Sequence, residues 1–350
     1  MTKIRIAVAG AGLIGQAHIK VLGASPSCML SAIVDPSPAA VEVAAKVGVS
    51  LYKTIDEMLQ SNRPDGLILA TPNQLHVSQA LQCMEAKLPI LLEKPIATTV
   101  VEGEKIVATV AETDAKVLIG HHRAHSPIMG KAKEVIDSGK LGKLVAFMGS
   151  ATFFKPDHYF VDAPWRKEVG AGPILINMIH EVHNMRMLCG DIVSVQAFGS
   201  HAIRGFEVED TVAINFRFAS GVLGTFMLSD TAASAKSWEQ TSQENKSYAS
   251  YDDEDCYVIT GTHGTLSVPT MRLKSYANDE DRSWWKAFNA SVVSMVREDP
   301  LQLQIEHFGA VIRGEAQPLV SANDGLQNLR VTEAIFESTK TGQIVELLAK

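Results

Sequence analysis

The sequence predicts an α/β protein in two parts: a doubly wound parallel sheet over residues 1–122, then an α+β domain with a largely antiparallel open sheet over 123–350. Three features predict it. Strand-like and helix-like segments alternate as far as Gly120, and the first strand ends in a glycine-rich turn. Beyond Gly120, strand-like segments follow one another with few helices between them. A chain of 350 residues is long enough to bury two cores.

Residues 4–9 form a β-branched, apolar run that ends in Gly10-Ala11-Gly12-Leu13-Ile14-Gly15 and continues as a helical pattern through Leu22 and Gly23. A second strand at 30–34 ends at Asp35, before the helix breaker Pro36, and completes a βαβ unit. Thr54-Ile55-Asp56-Glu57 has the form of a capping box and opens a helix to Gln60, ahead of a buried strand at 66–70. Thr71-Pro72-Asn73 then turns the chain. A helix at about 75–86 leads to a strand at 90–93, and Thr99-Val100-Val101-Glu102 caps another helix before a strand at 116–120. Such alternation implies a parallel sheet covered on both faces.

Composition removes several function classes. The chain is 46% hydrophobic and 20% charged, ordinary for a globular protein, and its net charge of −7 with no cluster of Lys or Arg argues against a nucleic-acid partner. Cys28, Cys83, Cys189 and Cys256 form no C-x-x-C pair, so neither a disulfide framework nor a zinc knuckle is expected, and a reducing cytoplasm is. The apolar run at 6–15 suits a strand and turn better than a signal peptide, and no other run approaches a membrane span.

G-x-G-x-x-G alone is weak, because glycines gather in many turns. Here it follows a strand, opens a helix and has an acid 20 residues beyond Gly15, which makes it a dinucleotide fingerprint rather than an ordinary strand-helix turn. Gly10 permits the tight turn, Gly12 lets backbone approach a pyrophosphate and Gly15 lets helix and strand pack closely. The backbone of Leu13 and Ile14 belongs to the helix N-terminus that faces the phosphates. Asp35 is expected to accept from the ribose hydroxyls and to repel a 2′-phosphate, and no arginine lies between Pro36 and Ala40 to offset it, so NAD is favoured over NADP.

In the second half, strands are expected at 144–154, 193–201, 211–218, 221–228 and 257–268. Residues 237–255 are expected to be a mobile surface loop whose acidic run at 252–255 is solvated, and Ser321-Ala322-Asn323-Asp324 caps a closing helix. Pro173 suits the first turn of a helix at 174–188, with Ile174, Leu175, Met178, Ile179, Val182 and Met185 on one face. Asn177, His180 and Asn184 share another, with Glu181 beside them and His183 at the edge. That stripe lines a cleft or faces solvent. His121, His122 and His125 follow the last strand of the first domain. With no cysteine or carboxylate spacing to accompany them they read as packed or substrate-contacting, and no metal is expected. Arg123, Lys155, His158, Trp165 and Arg166 are further pocket candidates. The cations suit a carboxylated or polyhydroxylated ligand, and Trp165 suits a core equally. Lys94 lies just past the carboxyl end of a parallel strand, where α/β sheets bind ligands, and Pro95 restricts its backbone.

Together these landmarks resemble the Gfo/Idh/MocA family of sugar, inositol and related dehydrogenases. They are the glycine turn, Ala70-Thr71-Pro72-Asn73 with His76, Glu93-Lys94-Pro95, Trp165-Arg166, Gly170-Ala171-Gly172 with His180, and Glu333-Ala334-Ile335. The resemblance implies an NAD-dependent oxidoreductase that oxidises a secondary alcohol of a small-molecule substrate, a sugar, a cyclic polyol or a hydroxylated ring acid, and is assembled as a homodimer or homotetramer. It implies Lys94 and His180 as the catalytic pair, with Thr71, Pro72, Asn73, His76, Glu93 and Lys94 joining the glycine turn and Asp35 around the cofactor. His122, Arg123, Lys155, His158, Trp165, Arg166, Asn177, His180 and His183 fall to the substrate. The chain departs from the pattern at Ile176, where many members carry an aspartate, with Asn177 one step away. It departs also at His183, commonly acidic, and at Ala171 within the glycine run. These departures imply a shifted substrate preference. Two other activities belong to branches of the same resemblance: a non-catalytic dinucleotide-binding sensor, against which the retained Lys94 and His180 argue, and a redox-assisted glycosidase.

Overall fold

Short apolar runs, almost wholly buried, pair in parallel to make the first sheet of the structure, a computed structural model that describes residues 2–347. The strands are β1 (Ile4–Ala9), β2 (Cys28–Val34), β3 (Ser50–Tyr52), β4 (Gly66–Leu69), β5 (Ile90–Glu93) and β6 (Val117–Gly120). Their order is β3-β2-β1-β4-β5-β6, the doubly wound arrangement in which strand order reverses between β1 and β4. Helices α1 (Leu13–Ala24), α2 (Ala39–Val47), α3 (Ile55–Asn62), α4 (His76–Glu85) and α5 (Val100–Thr113) connect them. Thr54 and Thr99 cap α3 and α5 by accepting from the amides of Glu57 and Glu102, as their spacing predicts. The sequence reading placed no element between Asp35 and Thr54. There α2 ends on Gly48 and β3 adds three residues at the sheet edge, an exposed Ser50 and the half-buried Leu51 and Tyr52, too few to set up a period.

The second unit is built on nine strands: β7 (Leu144–Thr152), β8 (Ile192–Ser200), β9 (Thr211–Phe218), β10 (Leu223–Ser229), β11 (Tyr257–Gly261), β12 (Gly264–Val268), β13 (Arg272–Ser275), β14 (Asn289–Val292) and β15 (Val345–Glu346). Their order is β14-β13-β12-β11-β7-β10-β9-β8-β15, and within this sheet β7 with β10 is the one parallel pair among the described residues. The sheet buries alternate residues such as Phe147, Ile214, Phe226, Ile259 and Leu266 against helices α6 (Pro127–Asp137) and α8 (Ile179–Cys189). Two short helices, α7 (Asp157–Val161) and α9 (Trp238–Thr241), lie in its loops. The helix expected at 174–188 forms, but its first turn, Ile174–Met178, is wound as a π-helix before α8 begins.

Two expectations are corrected. The single strand at 257–268 is a hairpin, β11 and β12, because Gly261 and Gly264 bracket a polar turn at Thr262 and His263. Of the loop at 237–255, residues 245–253 are exposed but the first part is anchored: Trp238 is buried and donates from Nε1 to Glu244 at 3.0 Å, and Ser126 also donates to Glu244. Asp255 leaves the solvated run to accept from the Thr270 amide and pair with Arg272. The compact units are 1–125 with 299–329 and 126–298 with 330–350. Helix α10 (Pro300–Arg313) returns to the first unit because Ile305 and Phe308 are buried in its core. A last helix, α11 (Ala322–Thr341), opens on a reciprocal cap between Ser321 and Asp324.

Candidate active site

Parallel pairing brings the carboxyl ends of β2, β1, β4, β5 and β6 to one edge of the first sheet, so Asp35, Gly10, Thr71, Lys94 and His121 begin five neighbouring loops. Gly10 has φ +90°, and a Cβ there would strike the Ala70 carbonyl oxygen; one on Gly15 would strike the Gly10 carbonyl oxygen. Gly12 is different. A Cβ on it would meet no protein atom within 4 Å, so the cradle at the head of α1 is one that a side chain would fill. No side chain caps α1, no acid stands in its first turn, and Leu13 is 83% exposed beside Ile14. A helix N-terminus so arranged fits a pyrophosphate.

Asp35 directs one carboxylate oxygen to the Ala11 amide at 2.7 Å and the other to the Ser37 amide at 2.8 Å. Burial pushes its pKa up, but those bonds outweigh it and hold the carboxyl below its ordinary value. A carboxylate with one amide on each oxygen keeps acceptor capacity for a diol. Thr71 donates to Gln79, and Asn73 opens a short helical turn, Asn73–Leu75, behind Pro72. His76 is fully buried with its ring nitrogens at 2.7 Å from the Pro95 carbonyl and 3.0 Å from the Thr71 carbonyl. It therefore fastens the loop after β4 to the loop after β5.

Glu93 is buried and Lys94 half-buried at the end of β5. The Lys94–Pro95 peptide is cis. Beyond β6, His121 and Arg123 are buried, Asn328 meets His121 at 3.1 Å, and the ring of His125 packs against that of His307 in a tilted arrangement, centroids 5.1 Å apart. His122 is half-buried and acts on the Glu93 charge. No group of three His, Cys, Asp or Glu side chains suited to a metal occurs among the described residues.

In the second unit, His180, Glu181, His183 and Asn184 are all buried on α8, so the polar stripe does not face solvent. Tyr257 is bonded to Glu181 and accepts from Asn184 at 2.9 Å. Lys155 donates to Asn177 at 2.8 Å and lies 3.6 Å from Asp230, which also takes the guanidinium of Arg204 at 2.9 Å. Arg166 stacks over the Tyr159 ring at 3.7 Å. Burial pushes Lys155 down to about 8 against the pull of Asp230. Glu209 accepts from the Ile174 amide at 2.8 Å, at the start of the π turn, and burial pushes its carboxyl up to about 7.

Of the residues expected around the substrate, the fold gathers Lys155, Asn177 and Arg166 about Tyr159 and sets His180 and His183 side by side on one helix. His158 stays outside these groups, and Trp165, whose ring lies 5.7 Å from the Arg166 guanidinium, is 54% exposed rather than core. Lys94 and His180 stand in different units. Sequence reasoning missed His18, Tyr159, Arg204, Glu209, Asp230 and Tyr257. His18 had a signal: with Gly15, Ile19 and Leu22 it falls on the buried face of α1, where a polar ring requires a partner. Arg204, Glu209, Asp230 and Tyr257 have partners far away in sequence, while Tyr159, on the short helix α7, meets Arg166 seven residues on.

A family model described as "Oxidoreductase family, NAD-binding Rossmann fold" matches residues 4–121, and another, "GFO/IDH/MocA C-terminal domain", matches residues 129–267. An inositol 2-dehydrogenase of Rubrobacter xylanophilus is 25% identical over 367 residues, covering 99% of this chain and 94% of that protein. A scyllo-inositol 2-dehydrogenase (NAD(+)) of Bacillus subtilis is 26% identical, covering 99% of this chain and 97% of its own. The WlbA dehydrogenase of Bordetella pertussis, solved in complex with NADH and UDP-GlcNAcA, shares the fold with a TM-score of 0.78 at 22% identity over 100% of both chains. No helix among the described residues is long and apolar enough to cross a membrane.

Proposed function

Because the chain belongs to the Gfo/Idh/MocA oxidoreductase family, we propose that it oxidises a secondary alcohol of a sugar or cyclic polyol. The observation that carries this reading is Lys94, placed at the carboxyl end of β5 on the sheet edge that carries the glycine turn. NAD, when bound, supplies the hydride acceptor. The head of α1 holds the pyrophosphate, and Asp35 accepts from the ribose hydroxyls while its charge disfavours a 2′-phosphate. Loss of hydride from a carbinol carbon requires the hydroxyl proton to leave as well. His180 takes that proton at its imidazole, and the Lys94 ammonium holds the oxygen and opposes the charge that grows on it. The two inositol dehydrogenase relatives support a polyol.

A hydroxylated ring acid is the second reading. Lys155 and Arg204 meet at Asp230, with Arg166 acting on the Lys155 charge and Asp157 beside Arg204, a cluster whose cations suit a carboxylate on the substrate. The four cysteines are buried free thiols, in keeping with a cytoplasmic setting. The outward face of the second sheet exposes Met148, Phe198, Leu223 and Met227, which supports a homodimer or homotetramer.

The test follows NADH absorbance with polyols, sugars and hydroxy acids. Accumulation with a polyol or sugar is expected. Tight NAD binding without NADH from any of them overturns the reading in favour of a sensor, or of a self-recycling glycosidase if an aglycone is released.

A further inference from the structure

Glu93 ends β5 with a carboxyl group that is only 5% exposed. A buried carboxylate is costly unless its oxygens are satisfied, and here each has a partner. His18, fully buried on α1, lies with Nε2 at 2.7 Å from one oxygen, and the Lys94 amide donates to the other at 3.2 Å. Gly120, paired with Glu93 across β5 and β6, makes the room: a Cβ there would lie 2.8 Å from the Glu93 carboxyl carbon. Burial pushes the Glu93 pKa up, but the bond and charge of His18, with the charges of Lys94 and His122, outweigh it and keep the carboxyl below its ordinary value. The group is therefore ionised, and the ring of His18 is its donor.

If this pair only tied α1 to the sheet, apolar residues of similar volume would serve as well, since replacing buried ion pairs with apolar groups is often neutral or stabilising. The placement indicates more. Glu93 is bonded to the backbone of Lys94 and acts on its charge, and His18 sits one turn beyond Gly15 on the helix whose first turn fits the pyrophosphate. We propose that His18 and Glu93 are a positioning pair for Lys94, His18 holding the carboxylate in the one orientation that fixes the lysine backbone and keeps a negative charge beside its ammonium. The proposal rests on Lys94 standing at the reacting centre. The pair makes the nucleotide helix and the lysine one mechanical piece.

The test compares wild type with His18→Ala, His18→Gln, Glu93→Gln and Lys94→Ala. It reads the pH midpoint for acetylation of Lys94 by acetic anhydride, located by mass spectrometry, then NAD affinity by calorimetry, and the pH profiles of kcat and KM on the substrate found above. Losing the fixed carboxylate is expected to lower the Lys94 midpoint by about one unit in His18→Ala and Glu93→Gln. It should also lower kcat by roughly tenfold, with NAD affinity within about threefold. His18→Gln, which keeps a donor, should recover most of both. Unchanged Lys94 midpoints in His18→Ala and Glu93→Gln would overturn the proposal, even if both variants melted early. Should His18→Ala not fold, His18→Gln and Glu93→Gln carry the same midpoint test. Near-normal turnover in Lys94→Ala would instead overturn the dehydrogenase chemistry assigned to that lysine, while the midpoints still decide the pair.

Discussion

Lys94 and His180 are the side chains on which turnover should depend. Lys94→Ala and His180→Ala are each expected to lower kcat by roughly 100-fold or more, the scale of a general acid-base group, and to leave NAD affinity within a few-fold. Steady-state kinetics with calorimetric NAD binding check this, and near-normal kcat in both variants would move the chemistry elsewhere. Asp35 is the residue proposed to govern the choice of nucleotide. Asp35→Ser combined with Pro36→Arg should shift the preference toward NADP by something on the order of tenfold, about 1.4 kcal/mol, in paired titrations. An unchanged ratio would deny Asp35 that role. Gly10, Gly15 and Asp35 were legible in the sequence because backbone conformation and close approach leave few residue types able to stand there. His18 was not read, because the partner that explains it lies 75 residues away.

At the scale of elements, the segment that leads into α8 is held by Glu209, which accepts the Ile174 amide. Its carboxyl is raised from an ordinary 4.5 to about 7, with burial the main cause. Between those values the folded chain keeps a proton that the unfolded chain has lost, so this group's contribution to stability falls as pH rises, by at most about 1.4 kcal/mol per unit. Glu209→Gln keeps the acceptor and removes the titration. Calorimetric melting at pH values on either side of this window should therefore show a smaller loss of stability toward neutral pH in the variant than in wild type. Equal slopes would contradict the assignment. Capped helices such as α3 and α5 were readable because their signals lie within three residues. The signals for α6 and α10 were equally local, a capping Ser126 or Asp299 followed by proline, but they went unread among strand-like neighbours.

At the scale of the whole molecule, the outward row of Phe198, Met227, Met148 and Leu223 leaves an apolar sheet face toward solvent in the single chain. Sedimentation should find a dimer or tetramer at micromolar concentration, and Phe198→Lys with Met227→Lys should shift it toward monomer without unfolding the sheet. A wild-type monomer under those conditions would overturn the assembly.

The parallel sheet, the glycine turn and the places of Asp35 and Lys94 followed from the sequence by itself, because each is written within a single βαβ unit or strand end, where periodicity, turn chemistry and spacing act locally. Only the tertiary structure decided that residues 299–329 rejoin the first unit, that β11 and β12 are two strands, and that His18 meets Glu93 and Arg204 meets Asp230. Those pairings close long stretches of chain, and the burial that rewards them exists only once separate elements have packed and water has left the groups between them.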